Sequence, residues 1–350
     1  MKEQKTTVYT LAEELGVSIA AISRAFDPNS KLSDEKRKKI LSLAKERGYQ
    51  PNKMASRLSM DPVRIGVLNY SYIKAYYTEI MDGVYQAYTD LKDYKIECDM
   101  RILQRGTNSM EEAFSVLDEF LALRYEGVII SGLYEDCVVE KINQLTDAGI
   151  KVATLQYNVE NSKRLFASLS NYPVIGEMAA QLCGMLLRSS ACKQVVMFTG
   201  NKTSPTHRQL VDSFSNASEK NGFEIVDIYD TKDVAECAEE MVVKAFSEHP
   251  DVAAIYASSA NSLPICRYLE KYHLGEKVAF IASDIFEDLY PYLENGYIDA
   301  TIYQEPFRMG YNAFDALFHA IADKKKIPEI IYSTPRVVLS SNLCFYKTQS

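Results

Sequence analysis

Tryptophan is absent from the chain, histidine occurs only four times, and no apolar run approaches the roughly 18 residues that a membrane-spanning helix needs. Without tryptophan, any stacking against a ligand falls to the 24 tyrosines and 14 phenylalanines. The histidines lie far apart, with no His-x-x-x-His pair. The seven cysteines (Cys98, Cys137, Cys183, Cys192, Cys237, Cys266 and Cys344) are scattered, odd in number and never spaced as Cys-x-x-Cys. That pattern excludes a disulfide framework and a thiolate metal site, and it reads as reduced, buried thiols. No metal or cofactor is expected. The start, Met1-Lys2-Glu3-Gln4-Lys5, leads into a helical pattern without the apolar core of a secretory signal, so a cytoplasmic location is the expectation. The phosphate- and nucleophile-bearing motifs Gly-x-Gly-x-x-Gly, Gly-x-x-x-x-Gly-Lys and Gly-x-Ser-x-Gly are missing too, and the acidic residues form no recognisable catalytic pair. An enzyme is not expected.

What is present is a chain that is 47% hydrophobic and 25% charged over 350 residues, the profile of a globular protein with one large or two to three smaller domains. Its net charge of −8 argues against nucleic acid until the charge is placed along the chain. Residues 1–60 carry 12 Lys and Arg against 7 Asp and Glu, a net +5, whereas the remaining 290 carry 27 against 40, a net −13. A basic head on an acidic body suits a protein that brings one end to phosphate and keeps the other away.

Residues 6–60 read as short helices without a strand pattern. From Arg64 onward, short apolar runs alternate with amphipathic windows. The runs are 65–68, 96–103, 127–131, 152–155, 195–199, 225–229, 253–257, 278–283, 300–303 and 337–340; the windows include Tyr77–Asp93, Met110–Leu123, Pro173–Leu187 and Pro306–Asp323. Such alternation predicts βαβ units and parallel sheets covered on both faces. About ten strands exceed a comfortable single sheet, which predicts two α/β lobes dividing near residues 165–190.

In the head, Thr10-Leu11-Ala12-Glu13 fits a capping box at a helix start. Leu11, Ala12 and Leu15 form one apolar stripe, Gly16 allows a tight turn, and Val17 plugs the corner. Ser18 caps a second helix with Ala21, Ile22 and Ala25 on its inner face. A third begins near Ser33-Asp34-Glu35, buries Ile40, Leu43 and Ala44, and ends at Gly48. This is the plan of a helix-turn-helix unit, in which the second helix enters the major groove by its N-terminal residues. Ser18, Ile19, Ala20, Ser23 and Arg24 face outward there. Arg24 suits the O6 and N7 of guanine, and Ile19 and Ala20 offer apolar surface to a thymine methyl. Spacing alone does not separate this from a three-helix module that never touches DNA.

The run Thr10-Leu11-Ala12-Glu13-Glu14-Leu15-Gly16-Val17-Ser18-Ile19-Ala20-Ala21-Ile22-Ser23-Arg24-Ala25-Phe26 resembles the head of the LacI/GalR repressors. So do Leu32-Ser33-Asp34-Glu35-Lys36-Arg37-Lys38-Lys39-Ile40 and Gly48-Tyr49-Gln50-Pro51-Asn52. The resemblance implies DNA contacts from Thr10, Ser18, Ile19, Ala20, Ser23 and Arg24. Between Pro51 and Pro62 lie roughly two turns that are marginal as a free helix. Here Asn52, Ala55 and Leu58 match the family's hinge helix, which implies paired hinge helices in the minor groove with Leu58 wedged between base pairs.

In parallel α/β sheets, ligands collect beyond the carboxyl ends of the strands. The residues there include Tyr76, Tyr77, Tyr157, Arg208, Asp284 and Gln304, and aromatic faces with a few convergent polar groups suit a polyhydroxylated ligand. Taken singly, each is more ordinary: a packing tyrosine, a helix cap, a solvated charge. The resemblance joins them, because Tyr76-Tyr77, Asp284 and Gly296-Tyr297-Ile298-Asp299-Ala300-Thr301-Ile302-Tyr303-Gln304-Glu305-Pro306 follow the order of the family's sugar-binding branch, shared with ribose-type periplasmic binding proteins. The chain departs from that pattern at Lys74, where the family often has Asn, at Ala282 in place of a common Gly, and at Arg208, two residues off the usual spacing to Phe214. Lys74 and Arg208 in one cleft would point to an anionic sugar.

The expectation is therefore a small all-α helix-turn-helix domain (1–50), a hinge (51–62) and a two-lobed, periplasmic-binding-protein-like α/β body of parallel sheets (63–350). It would act as a homodimeric repressor on a near-palindromic double-stranded operator, with a sugar or sugar-like effector and no membrane partner. The rival is a transport-type sugar-binding protein without a DNA role. Whether the effector induces or co-represses is open.

Overall fold

The computed structural model describes residues 6–26, 30–49, 61–71 and 74–347, with residues 74 and 75 in main chain only. The chain separates into two compact units, one holding the N-terminal helices and one holding the strands that begin at Val63.

The first unit contains α1 (Val8–Leu15), α2 (Ile19–Phe26) and α3 (Asp34–Glu46). The capping box lies one turn earlier than the sequence suggested. Thr7 is the N-cap, its hydroxyl accepting from Thr10 N–H at 3.3 Å while Thr10 Oγ1 accepts from Thr7 N–H at 2.9 Å. Gly16, at φ +63°, turns the chain through the left-handed region that only glycine enters without strain. Ser18 Oγ then accepts from Ala21 N–H at 3.2 Å and starts α2. Leu11, Ala12, Ile22, Ala25, Ile40 and Ala44 form the core, flanked by the half-buried Leu15, Val17 and Leu43. Arg37 ties the loop after α2 down by donating to the carbonyls of Ala25 and Ser30.

The second unit holds two six-stranded sheets. In chain order the strands are β1 (Val63–Ser71), β2 (Ile96–Gln104), β3 (Gly127–Ser131), β4 (Lys151–Leu155), β5 (Phe166–Ser170), β6 (Gln194–Thr199), β7 (Glu224–Asp230), β8 (Ala254–Ala257), β9 (Ala279–Ser283), β10 (Ala300–Tyr303), β11 (Ile330–Ser333) and β12 (Arg336–Val338). The first sheet has the order β11-β5-β4-β3-β1-β2 and is parallel throughout; the second has the order β12-β10-β9-β8-β6-β7 and is parallel except for β12, which runs against β10. The helices are α4 (Lys74–Leu91), α5 (Met110–Ala122), α6 (Asp136–Asp147), α7 (Tyr172–Leu186), α8 (Pro205–Ser218), α9 (Ala235–Glu248), α10 (Leu263–Lys271), α11 (Tyr290–Glu294) and α12 (Pro306–Ala322).

Two strands, β5 and β11, lie outside the ten expected apolar runs, and the lobes do not divide at a single point. The chain passes to the second lobe between β5 and α7, inside the expected window, then returns with α12 and β11 and crosses again into β12. The return is fixed by a close helix crossing. Gly83 of α4 faces the carbonyl of Phe307 and Gly310 of α12 faces that of Ile80, at approaches a Cβ would not fit. Val67 and Leu68 of β1, with Val128, Ile129 and Ile130 of β3, are fully buried, as the central strands of a two-sided sheet are.

Candidate functional site

The carboxyl ends of both sheets open on one cleft. Its walls carry Tyr76 and Tyr77 from α4, Gln156 and Tyr157 after β4, Tyr172 at the start of α7, Thr206 and His207 at the start of α8, Asp233 after β7, Ser258 to Ala260 after β8, Asp284 after β9 and Gln304 after β10. Five of the six sequence candidates meet here.

Arg208 does not. It is exposed on α8, about 100° around the helix from its neighbour His207, and it is His207 that reaches the cleft. The side chain of Lys74 lies outside the described residues, so the cationic pair that suggested an anionic sugar is not formed by Arg208.

Asp284 is 2% exposed. Its backbone is left-handed (φ +62°), held by its own N–H to Ile302 O at 3.0 Å and by the Thr301 hydroxyl on its carbonyl at 2.6 Å. Gln304 donates to both carboxylate oxygens, by N–H at 3.1 Å and by Nε2 at 2.7 Å. Burial pushes this carboxyl up to about 7, with the Gln304 bonds opposing and the charge of Glu79 adding.

Across the cleft, His207 Nε2 stands 3.3 Å from Asp233 Oδ1, while Asp233 Oδ2 accepts from Asn201 N–H at 3.1 Å. Burial alone would raise Asp233, but His207 and the Asn201 amide outweigh it and hold this carboxyl below the usual range. A Cβ at Gly200 would overlap both partners, so glycine is what lets the pair form. The tyrosines are kept neutral by burial, which raises Tyr76, Tyr77 and Tyr172 well above 10.0. Tyr77 OH donates to Gln156 Oε1 and Tyr172 OH to Gln156 O at 3.1 Å. The Tyr76 hydroxyl and His207 Nδ1 have no hydrogen-bond partner among the described residues. A concave, partly aromatic lining with a few unpartnered polar groups is the arrangement of a small-molecule pocket.

Beneath the cleft, serines lace the crossings between lobes. Ser170 Oγ and Ser333 Oγ both donate to Gln304 O, at 3.3 and 2.8 Å, and Ser168 Oγ to Met309 O at 2.9 Å. Gln304 thus joins Asp284 by its side chain and the crossing strands by its carbonyl.

Residues 65–326 match the periplasmic binding protein domain family. The chain belongs to that family. As a periplasmic-binding-protein-like chain it is also homologous to catabolite control protein A of Priestia megaterium, 26% identical over 226 residues, which is 64% of either chain. It is 30% identical over 151 residues to the HTH-type transcriptional regulator RegA of Clostridium saccharobutylicum, 43% of this chain and 44% of that one. These matches span less than two thirds of the regulators' length. GanP, a glucose-galactose binding protein of Geobacillus stearothermophilus, superimposes with a TM-score of 0.71 at 24% identity over 81% of this chain and 99% of its own, a likeness of fold. The relatives of this periplasmic-binding-protein-like chain are regulators and sugar-binding proteins, not enzymes. No described helix is long and apolar enough to cross a membrane.

In the head, Ser18, Ile19, Ala20, Ser23 and Arg24 form an exposed face at the start of α2. Arg24 Nε donates to Ala20 O at 3.1 Å, which holds the guanidinium along that face. Thr10 is exposed but its hydroxyl serves the α1 cap. Asn52, Ala55 and Leu58 lie outside the described residues. Sequence reasoning did not propose Tyr172, His207, Asp233 or Ser258 as ligand contacts. The rule that sites follow strands reaches Asp233 and Ser258, which stand after β7 and β8.

Proposed function

We propose that the chain is a DNA-binding transcriptional regulator of the LacI type, a repressor in its ordinary output, whose hold on DNA is set by a sugar or sugar-like effector in the cleft. The observation that carries this is the combination in one chain of a basic three-helix unit with an exposed α2 face and a sugar-binding-protein fold whose cleft gathers unpartnered polar groups. On this reading Thr10, Ser18, Ile19, Ala20, Ser23 and Arg24 contact the operator, and Asn52, Ala55 and Leu58 supply a hinge. A homodimer is required because one short helix reads few base pairs and specificity comes from paired half-sites. The effector engages Tyr76, Tyr77, Tyr157, Asp284 and Gln304. Gln304 passes the change to the crossing strands through Ser170 and Ser333, so that lobe orientation and operator affinity become linked.

A mobility-shift assay with fragments of the source chromosome tests it, at low salt, with and without D-glucose, D-galactose or D-ribose. A retarded fragment whose affinity changes with one sugar is expected. No retarded fragment under any of these conditions would overturn the proposal and favour a transport-type binding protein.

A further inference from the structure

We infer that the cleft takes an uncharged polyhydroxylated ligand and rejects the phosphorylated and carboxylate forms of the same sugar. The inference rests on the cleft being the effector site and names the class of effector. Two buried carboxylates, Asp233 and Asp284, line the cavity, and Glu79 adds its charge to the field at Asp284. Among the described residues that line it there is no lysine or arginine; His207 is the one basic group. That group already has an anion beside it. Asp233 lies against His207 Nε2 and takes the Asn201 amide, so an internal anion fills the place beside the start of α8 where a ligand phosphate would sit. Pro205 at the first position of α8 removes one more amide from that end.

The groups left over suit hydroxyls. Tyr76 OH and His207 Nδ1 have no partner among the described residues, and each can exchange a hydrogen bond with an alcohol. Asp284 and Gln304 are joined as an acceptor–donor pair of the kind that takes two neighbouring hydroxyls. The Tyr76 and Tyr77 rings meet edge to face with centroids 5.4 Å apart, giving an apolar wall for the C–H face of a sugar ring. The cavity is small, about 60 Å³, so a ligand in it gives up most of its water. A phosphate would then be desolvated beside Asp233 and, at pH 8 where Asp284 has lost its proton, between two carboxylates, a repulsion that at short range in a partly buried site weakens binding about a hundredfold.

Isothermal titration of the full chain at pH 8 tests the inference, pairing D-glucose with glucose 6-phosphate and glucuronate, and D-ribose with ribose 5-phosphate. A neutral sugar that binds about a hundredfold tighter than its anionic counterpart is the expected result. An anionic form that binds as well as, or better than, the neutral one overturns the inference and leaves the sensor reading standing. If neither form of either sugar binds, the sugar-sensor reading itself fails, and the inference with it. Asp233→Asn keeps an acceptor for the Asn201 amide while freeing His207; Asp284→Asn removes the other charge and keeps the Gln304 partnership. In each variant the ratio of glucose 6-phosphate to glucose affinity is expected to rise at least about tenfold, and an unchanged ratio in both overturns the carboxylate barrier.

Discussion

Asp284→Asn is expected to make the body more stable at pH 8 while weakening its hold on a sugar. The native state keeps the Asp284 proton up to about pH 7, whereas the unfolded chain gives it up near 3.8. Between those values the native protein binds more protons than the unfolded chain, so stability falls as pH rises through the window, and the full penalty is present above pH 7. At about 1.4 kcal/mol per pH unit, the displacement amounts to about 4 kcal/mol. Asparagine removes the charge but still buries an amide. Its oxygen keeps the Gln304 N–H, and Gln304 turns its side-chain amide so that its own oxygen accepts from the new NH2. About half of the penalty, about 2 kcal/mol, is therefore expected back. For a large domain this raises Tm by about 4–8 °C. Differential scanning calorimetry of parent and variant at pH 5, 6 and 8 reads it out. The Tm difference is expected to be largest at pH 8 and to fall by more than half at pH 5, where the parent carboxyl is protonated in the native state. A variant less stable at pH 8, or a difference that ignores pH, refutes the burial argument.

Gly83→Ala forces a methyl into the Phe307 carbonyl; the overpacking costs about 1–3 kcal/mol against a helix-propensity gain of about 1, so a net loss of up to about 2 kcal/mol is expected, and a raised melting temperature would contradict the close crossing of α4 and α12. Arg24→Ala is expected to cost about 1–3 kcal/mol of specific operator affinity and to relax base preference at one position, read by fluorescence anisotropy at fixed salt against a scrambled duplex. Leu58→Ala is expected to weaken operator binding by a few kcal/mol while sugar titration of the same preparation stays as in the parent.

Much of this architecture is legible in the chain because its signals are local. Gly16, Ser18 and Gly48 punctuate the head as written, since turns and caps depend on residues a few positions apart. The N-cap fell one turn away because Thr7 and Thr10 both satisfy the pattern, and the choice is made by Val8, which gains contact with the core when α1 starts earlier. The sequence of β5, Phe-Ala-Ser-Leu-Ser, holds no continuous apolar run. Its serines are buried all the same, satisfied by Met309 and Gln304 carbonyls more than 130 positions on, which no local pattern contains. Strand β11 is likewise recruited by pairing with β5. At the site, post-strand placement locates Tyr76, Tyr77, Tyr157, Asp284 and Gln304, but the choice between His207 and Arg208 turns on helical phase at the first turn of α8. That phase is set by packing of Leu210 and Phe214, not by the two residues themselves.

The three passages of the backbone between lobes bear on how this molecule is made. The first sheet gains β11 only after every strand of the second except β12 has been synthesised. A ribosome releasing the chain from its N-terminus therefore exposes a sheet with an open β5 edge, and an α4 without α12 across it, for most of the body's synthesis. The growing polypeptide must wait for α12 and β11, from Pro306 onward, before the earlier half can close, which makes that interval the one in which chaperones and proteases have most to work on.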